Sequence, residues 1–246
     1  MSLDTADRTG ALLSHVRVMR PDGPGPFPVV VQMHGCGGVQ PMQDRYAEAA
    51  RAAGVAAVIV DSLAPRGIGR REAQLTVCTG VRLRGAERAG DLLTVLQWLE
   101  QQPWADMDRL AAAGWSHGAW SIMEALAAGP AESVAIDPRV ATLKLVALFY
   151  PYAGPLARTR RYGWGEVRPQ VIACLAGRDA VVGKISPRRA LERLQADGLD
   201  VRILDLPDAT HCFDDENASD PRTLYRPDLE AEARLFYATG LAGALL

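Results

Sequence analysis

The segment Gly114-Trp115-Ser116-His117-Gly118 constrains this chain more than any other. Asp108-Arg109 and the apolar run Leu110-Ala111-Ala112-Ala113 precede it, and the helix-forming stretch Ala119 to Ala128 follows. A serine between glycines at positions −2 and +2, at a join of strand and helix, reads as a nucleophile elbow. The turn is sharp enough that only glycine leaves room for strand and helix to approach. The chain must therefore supply a parallel strand, a helix packed against it, and partners for an exposed hydroxyl.

The rest of the sequence supplies them. Pro28 to His34, Val55 to Asp61, Leu143 to Tyr150, Gln170 to Ala176 and Asp200 to Leu206 read as strands, most of them apolar on both faces. Helical patterns separate them: Met42–Ala53, Arg82–Gln102, Pro187–Asp197 and Leu229–Leu246. Such alternation predicts an α/β fold with a mostly parallel central sheet covered by helices on both faces. His15 to Met19 reads as an antiparallel edge strand before a Pro21-Asp22-Gly23 turn. Connections are short, so no large lid domain is expected, and without repeats or linkers 1–246 reads as one domain. The segment Ser62 to Val81 reads as a long loop without periodicity. It leaves the sheet edge where α/β proteins bind ligands.

A hydroxyl nucleophile needs a base and a carboxylate to orient that base. In this architecture they follow the serine in the order acid, then histidine. Asp179, in Ala176-Gly177-Arg178-Asp179, directly follows a strand. His211, in Thr210-His211-Cys212-Phe213, follows the last strand and is the sole histidine beyond Asp179. Ser116, His211 and Asp179 are thus the expected triad, with Asp205, Asp208, Asp214 and Asp215 as rival acids. The glycine-rich His34-Gly35-Cys36-Gly37-Gly38 also follows a strand. The backbone N–H groups of Cys36 and His117 are the expected oxyanion donors, each worth about 3 kcal/mol in a transition state. His34 reads as an orienting residue, and the His117 side chain as a packing one. Arg66, Arg70 and Arg71 are candidates for binding an anionic substrate group, because a guanidinium fork suits carboxylate. Arg88 and Asp91, at i and i+3, read as a helix-surface pair.

Composition excludes other classes. A net charge of −2 gives no reason to expect nucleic acid or an anionic membrane. No apolar run approaches the roughly 20 residues of a membrane span, and the N-terminus has no signal-like segment, so a cytoplasmic location is expected unless a leader was removed. Four cysteines, Cys36, Cys78, Cys174 and Cys212, are too few and scattered for a disulfide scaffold or zinc site. A Cys36–Cys78 bridge would fit only an exported protein and is not the expectation.

Together, H-G-C-G-G at His34, D-S-L-A-P-R-G at Asp61, G-W-S-H-G at Gly114, A-G-R-D at Ala176 and T-H-C-F at Thr210 resemble the dienelactone hydrolase family of the α/β-hydrolase superfamily. The second of these motifs resembles its bacterial members. The resemblance covers nearly everything from Pro28 to Leu246. It implies hydrolysis of a small-molecule ester or lactone with no metal or cofactor, and it leaves a homodimer open. Dienelactone hydrolases proper use a cysteine nucleophile tuned by an acidic residue near the position of Gly35. With Ser116 and Gly35 in those places, the resemblance implies a serine esterase or lactonase. Hydrolysis of a small peptide or amide by the same triad, and a non-catalytic binding role on this scaffold, are the alternatives.

Overall fold

The computed structural model describes residues 5–129 and 136–246, with side chains from residue 9 onward. Its strands are β1 (Val16–Met19), β2 (Phe27–Met33), β3 (Ala56–Val60), β4 (Ala105–Trp115), β5 (Leu143–Phe149), β6 (Gln170–Ala176) and β7 (Val201–Leu206). The helices are α1 (Thr5–Leu13), α2 (Pro41–Ala52), α3 (Arg70–Thr76), α4 (Gly85–Leu99), α5 (His117–Leu126), α6 (Pro138–Ala141), α7 (Arg158–Tyr162), α8 (Ile185–Ala196) and α9 (Pro227–Leu245). The seven strands form one sheet in the order β1-β3-β2-β4-β5-β6-β7. Only β1 runs antiparallel, pairing Val16 with Val60 and Met19 with Ala57. This is the α/β-hydrolase architecture. Among the described residues no insertion forms a lid domain, and no helix is long and apolar enough to cross a membrane.

Alternation along the strands builds two cores. Val29, Val31 and Met33 of β2 face Leu92, Leu96, Ile122 and Leu126 of α4 and α5. Val30, with Ala111, Ala113 and Trp115 of β4, faces Tyr46 of α2 and Tyr237 and Leu241 of α9. Each large apolar side chain so buried contributes roughly 1.5–3 kcal/mol. Trp115 stacks on Phe149 with ring centroids 4.9 Å apart, and Tyr46 meets both rings edge-on at 5.0 Å. This aromatic block lies directly beneath Ser116.

The expected 62–81 loop is not structureless. It contains a 3-10 turn, Ala64–Arg66, and then α3. Leu63, Ile68, Ala73, Val77 and Leu83 form a small core of their own, packed against Cys36. The segment is too short for helical periodicity to rise above its arginines and glycines. The expected 82–102 helix is shorter, because Leu83 takes φ +50° and the chain turns into the helix only at Gly85.

The join of β4 to α5 fixes the site. Ser116 has φ +52° and ψ −110°, a strained conformation for a residue with a side chain. Trp120 N–H donates to Ser116 O, and Ser116 N–H to Phe149 O at 2.9 Å. A Cβ on Gly118 would lie 1.9 Å from Met33 O, and one on Gly114 would lie 2.5 Å from Ala119 N. Neither neighbour is a flexible side chain, so the backbone itself would have to move. Gly90, exposed in α4, has nothing within 4 Å of the same position. Gly118→Ala is therefore expected to cost about 3 kcal/mol or more. Gly90→Ala should add about 0.5–1 kcal/mol, raising Tm by about 2 °C in a chain of this size. Thermal melts of the two variants check both signs.

Candidate active site

Parallel strands deliver their C-terminal ends to one edge, and the expected triad residues meet there. Ser116 follows β4, Asp179 follows β6 and His211 follows β7. His211 Nε2 lies 2.9 Å from Ser116 Oγ, and His211 Nδ1 lies 2.7 Å from Asp179 Oδ2. All three are buried. Val181 and Val182 N–H both donate to Asp179 Oδ1 at 2.9 Å, leaving Oδ2 for the imidazole. That geometry requires the neutral histidine to carry its proton on Nδ1 and present Nε2 as an acceptor to the serine. None of the rival acids reaches His211: Asp205 pairs with Arg188 and Asp208 with Arg178.

The loops bearing Asp179 and His211 are tied together. Gly177 N–H donates to Leu206 O at 2.8 Å, and Arg178 N–H to Ala209 O at 2.9 Å. A Cβ on Gly177 would lie 2.5 Å from Pro207 O, so this close approach also needs glycine. Beneath His211, the Tyr150 ring meets the imidazole edge-on at 4.8 Å. Tyr150, at φ +36°, donates its hydroxyl to Asp214 Oδ1 at 2.6 Å, and Tyr46 donates to Oδ2 at 3.1 Å. Asp214 is fully buried, and desolvation pushes its carboxyl up to about 6 despite the two phenol donors. The sequence placed Asp214 among rival acids, whereas it holds Tyr150, whose ring packs on His211. Three residues past His211, with two distant tyrosines as partners, it carries no local signal of that role.

On the opposite side, the His34–Gly38 loop follows β2. His34 accepts Ser62 N–H at Nε2, 3.0 Å away, while its Nδ1 lies 2.5 Å from Gly35 O. Burial, reinforced by the Arg88 charge, holds His34 neutral, well below the usual imidazole range. It ties the Cys36 loop to the start of the 62–84 strap. Cys36 and Cys78 are joined by a disulfide with Cα atoms 5.1 Å apart, a bridge the sequence alone did not favour. The physical reason is α3, which brings Cys78 over the Cys36 loop. Cys212 and Cys174 are free. Among the described residues no group of three or more His, Cys, Asp or Glu is arranged to hold a metal.

The arginines of the strap are largely engaged by protein. Arg66 forks onto Asp91 at 2.7 and 3.0 Å and also donates to Ser62 O. Arg70 donates to Gln40 Oε1 at 3.0 Å and Asn217 O at 2.5 Å. Arg71 is exposed and makes no ion pair among the described residues. The Arg88–Asp91 surface pair does not form. Arg88 is fully buried and donates to His117 Nδ1 at 3.2 Å, while Asp91 belongs to Arg66. The periodicity held this signal: Arg88 is four residues before Leu92, on the stripe of Leu92, Val95, Leu96 and Leu99 that faces the core. The His117 ring packs edge-on to Trp120 at 4.9 Å, and burial lowers its pKa to about 3.

Residues 10–211 match the model of the X-Pro dipeptidyl-peptidase (S15) family. The chain belongs to that family. Its fold is shared with a protein assigned as a dienelactone hydrolase in Klebsiella pneumoniae, at TM-score 0.69 and 18% identity over 92% of both chains. A dienelactone hydrolase from Anabaena variabilis superposes at TM-score 0.65 with 19% identity, over 94% of this chain and 92% of its own. An esterase from Thermogutta terrifontis does so at 0.63 with 16% identity, over 92% and 88%. No curated protein sequence matches the chain. These structural neighbours, dienelactone hydrolase-like proteins and esterases, are α/β-hydrolases, as the expected resemblance implied. Family and fold together make the chain a member of a hydrolase group.

The buried Asp214 carboxyl predicts a pH signature. A folded-state carboxyl near 6, against about 3.9 unfolded, binds its proton more tightly when folded. Its contribution to stability is therefore complete below about pH 4 and is lost as pH rises through 6. In denaturant titrations at both pH values, the unmutated protein should lose on the order of 3 kcal/mol from pH 4 to 7 relative to Asp214→Asn. A difference between the two proteins that does not change with pH would show that Asp214 does not titrate in this range.

Proposed function

We propose that the protein is a serine hydrolase acting on carboxylic esters or lactones through an acyl-enzyme. The observation that carries this reading is the hydrogen-bonded chain from Ser116 Oγ through the His211 ring to Asp179, with spacings of 2.9 and 2.7 Å. Ser116 Oγ attacks the carbonyl carbon while His211 Nε2 takes the hydroxyl proton. Asp179 stabilises the resulting imidazolium and holds its Nδ1–H without itself taking the proton. The carbonyl oxygen, now anionic, is received by the Cys36 and His117 N–H groups. Collapse of the tetrahedral intermediate breaks the C–O bond, and His211 returns the proton to the leaving alkoxide. Water then enters by the same steps in reverse and releases the acid.

The family name favours a second reading, cleavage of a peptide bond after an N-terminal X-Pro pair. Such a site must recognise the substrate's free ammonium, which calls for an available carboxylate. Asp220, whose charge interacts with His211, is forked by Arg222 at 2.6 and 2.9 Å. Glu124 accepts the Trp120 indole N–H and the Arg158 backbone N–H at Oε1 and the Arg158 Nε–H at Oε2. These observations favour a neutral ester.

Ser116→Ala and His211→Ala should each lower kcat by on the order of 10⁴ with unchanged circular dichroism. The double variant should be no slower than either single one, because the residues act as a unit. Multiplying losses would separate them. In a substrate panel, p-nitrophenyl butyrate should exceed Ala-Pro p-nitroanilide in kcat/KM by about 100-fold or more. The reverse order would establish the peptidase reading. Because Arg66 and Arg70 are already engaged, a half-ester bearing a free carboxylate should turn over no faster than its methyl ester. A clear preference for the acidic substrate, erased by Arg71→Ala, would restore the arginine-binding expectation.

A further inference from the structure

A fully buried cation, Arg88, lies against the residue that follows Ser116. Arg88 is 0% exposed, on the inward face of α4. A buried guanidinium ordinarily has a carboxylate partner, since desolvating an isolated charge is costly. Here Asp91 is forked by Arg66, and Asp61 accepts the Leu63 and Ala64 N–H groups at 2.8 and 3.0 Å. The sole protein acceptor of Arg88 among the described residues is His117 Nδ1. Its Nε and Nη2, and His117 Nε2, have no protein partner among those residues. Burial lowers the Arg88 pKa only to about 10, so it stays a cation at neutral pH. Both neighbouring rings, His34 and His117, are held neutral by burial and by this same charge.

The packing that achieves this is specific. Gly85, in the first turn of α4, lies against the Trp120 indole, and a Cβ there would be 2.6 Å from the ring. That close approach of α4 to α5 puts Arg88 beside the residue that follows Ser116. The Arg88 bond fixes His117 with its proton on Nε2, and the ring is clamped between Arg88 and Trp120. The His117 backbone N–H is one of the two donors assigned to the oxyanion.

Resting on the acyl-transfer reading above, we propose that Arg88 is a positioning residue for the reaction. Its bond to the His117 ring holds the oxyanion-facing N–H in place, and its buried charge favours the anionic tetrahedral state over the neutral bound ester. A preoriented charge in a dry environment acts on the state in which charge develops and costs no reorganisation at that moment. It therefore affects kcat and spares KM, because the ester ground state is neutral.

The test compares turnover with the affinity of an alkylboronic acid, which forms a tetrahedral anion on a nucleophilic serine. In Arg88→Met, kcat on p-nitrophenyl butyrate and boronate affinity should each fall about 10- to 100-fold, with KM within about twofold, all scaled to the folded fraction. Arg88→Lys, which keeps a cation, should recover at least fivefold of both. His117→Phe keeps the ring on Trp120 but removes the acceptor, so it should lose kcat and boronate affinity together. It carries the test if Arg88→Met does not fold. Unchanged kcat and boronate affinity in a folded variant would overturn the proposal. So would a KM that rises as much as boronate affinity falls, or a lysine variant as weak as the methionine one. Failure of the underlying reading looks different: the unmutated protein would neither bind boronate nor hydrolyse the ester.

Discussion

The structure turns on the closeness of one backbone crossing. The first turn of α5 passes so near the end of β2 that the Gly118 position leaves no room for a methyl group beside Met33 O. That approach holds Ser116 in a conformation it would not adopt alone. It also brings the β2 loop, with Cys36, alongside the N-terminus of α5, with His117. The aromatic block of Trp115, Phe149, Tyr46 and Tyr237 is what resists relaxation of the strain.

The other site elements follow from parallel topology. With six parallel strands, every βα connection emerges at one edge, so Ser116, Asp179, His211 and the His34–Gly38 loop arrive there from distant parts of the chain. Each is then locked by short contacts. The Asp179 loop is bonded to the His211 loop through Gly177 and Arg178, His34 ties the Cys36 loop to Ser62, and the disulfide ties it to the 62–84 segment. Two buried ionisable groups, Asp214 below His211 and Arg88 behind His117, sit one layer away from the proposed chemistry. Each is hydrogen-bonded by neutral partners: Asp214 by the Tyr150 and Tyr46 hydroxyls, and Arg88 by the His117 ring.

The sheet, its antiparallel edge strand and the meeting of Ser116, His211 and Asp179 were legible because each rests on a local signal. Apolar runs mark parallel strands, and glycine spacing marks the elbow. Acid and base are placed by position relative to strand ends. What was not legible depends on contacts between distant segments. The α3 helix is seven residues long and holds one small core residue, Ala73, so no periodicity reveals it. The Cys36–Cys78 bridge exists because that helix folds over the β2 loop. Arg88 could have been found, since it continues the buried stripe of α4, but its pairing rule with Asp91 pointed to the surface. Asp214 shows the same limit: a carboxylate whose partners lie on α2 and at the end of β5 looks like any loop aspartate in the sequence.

The central claim is that Ser116 becomes covalently acylated. Mixing the protein with p-nitrophenyl butyrate, quenching in acid within milliseconds and mapping peptides by mass spectrometry tests it directly. The expected result is one butyryl group, on the peptide containing Ser116, that decays as product forms and is absent from Ser116→Ala. Butyrylation at another residue, or turnover in Ser116→Ala at the unmutated rate, would contradict it.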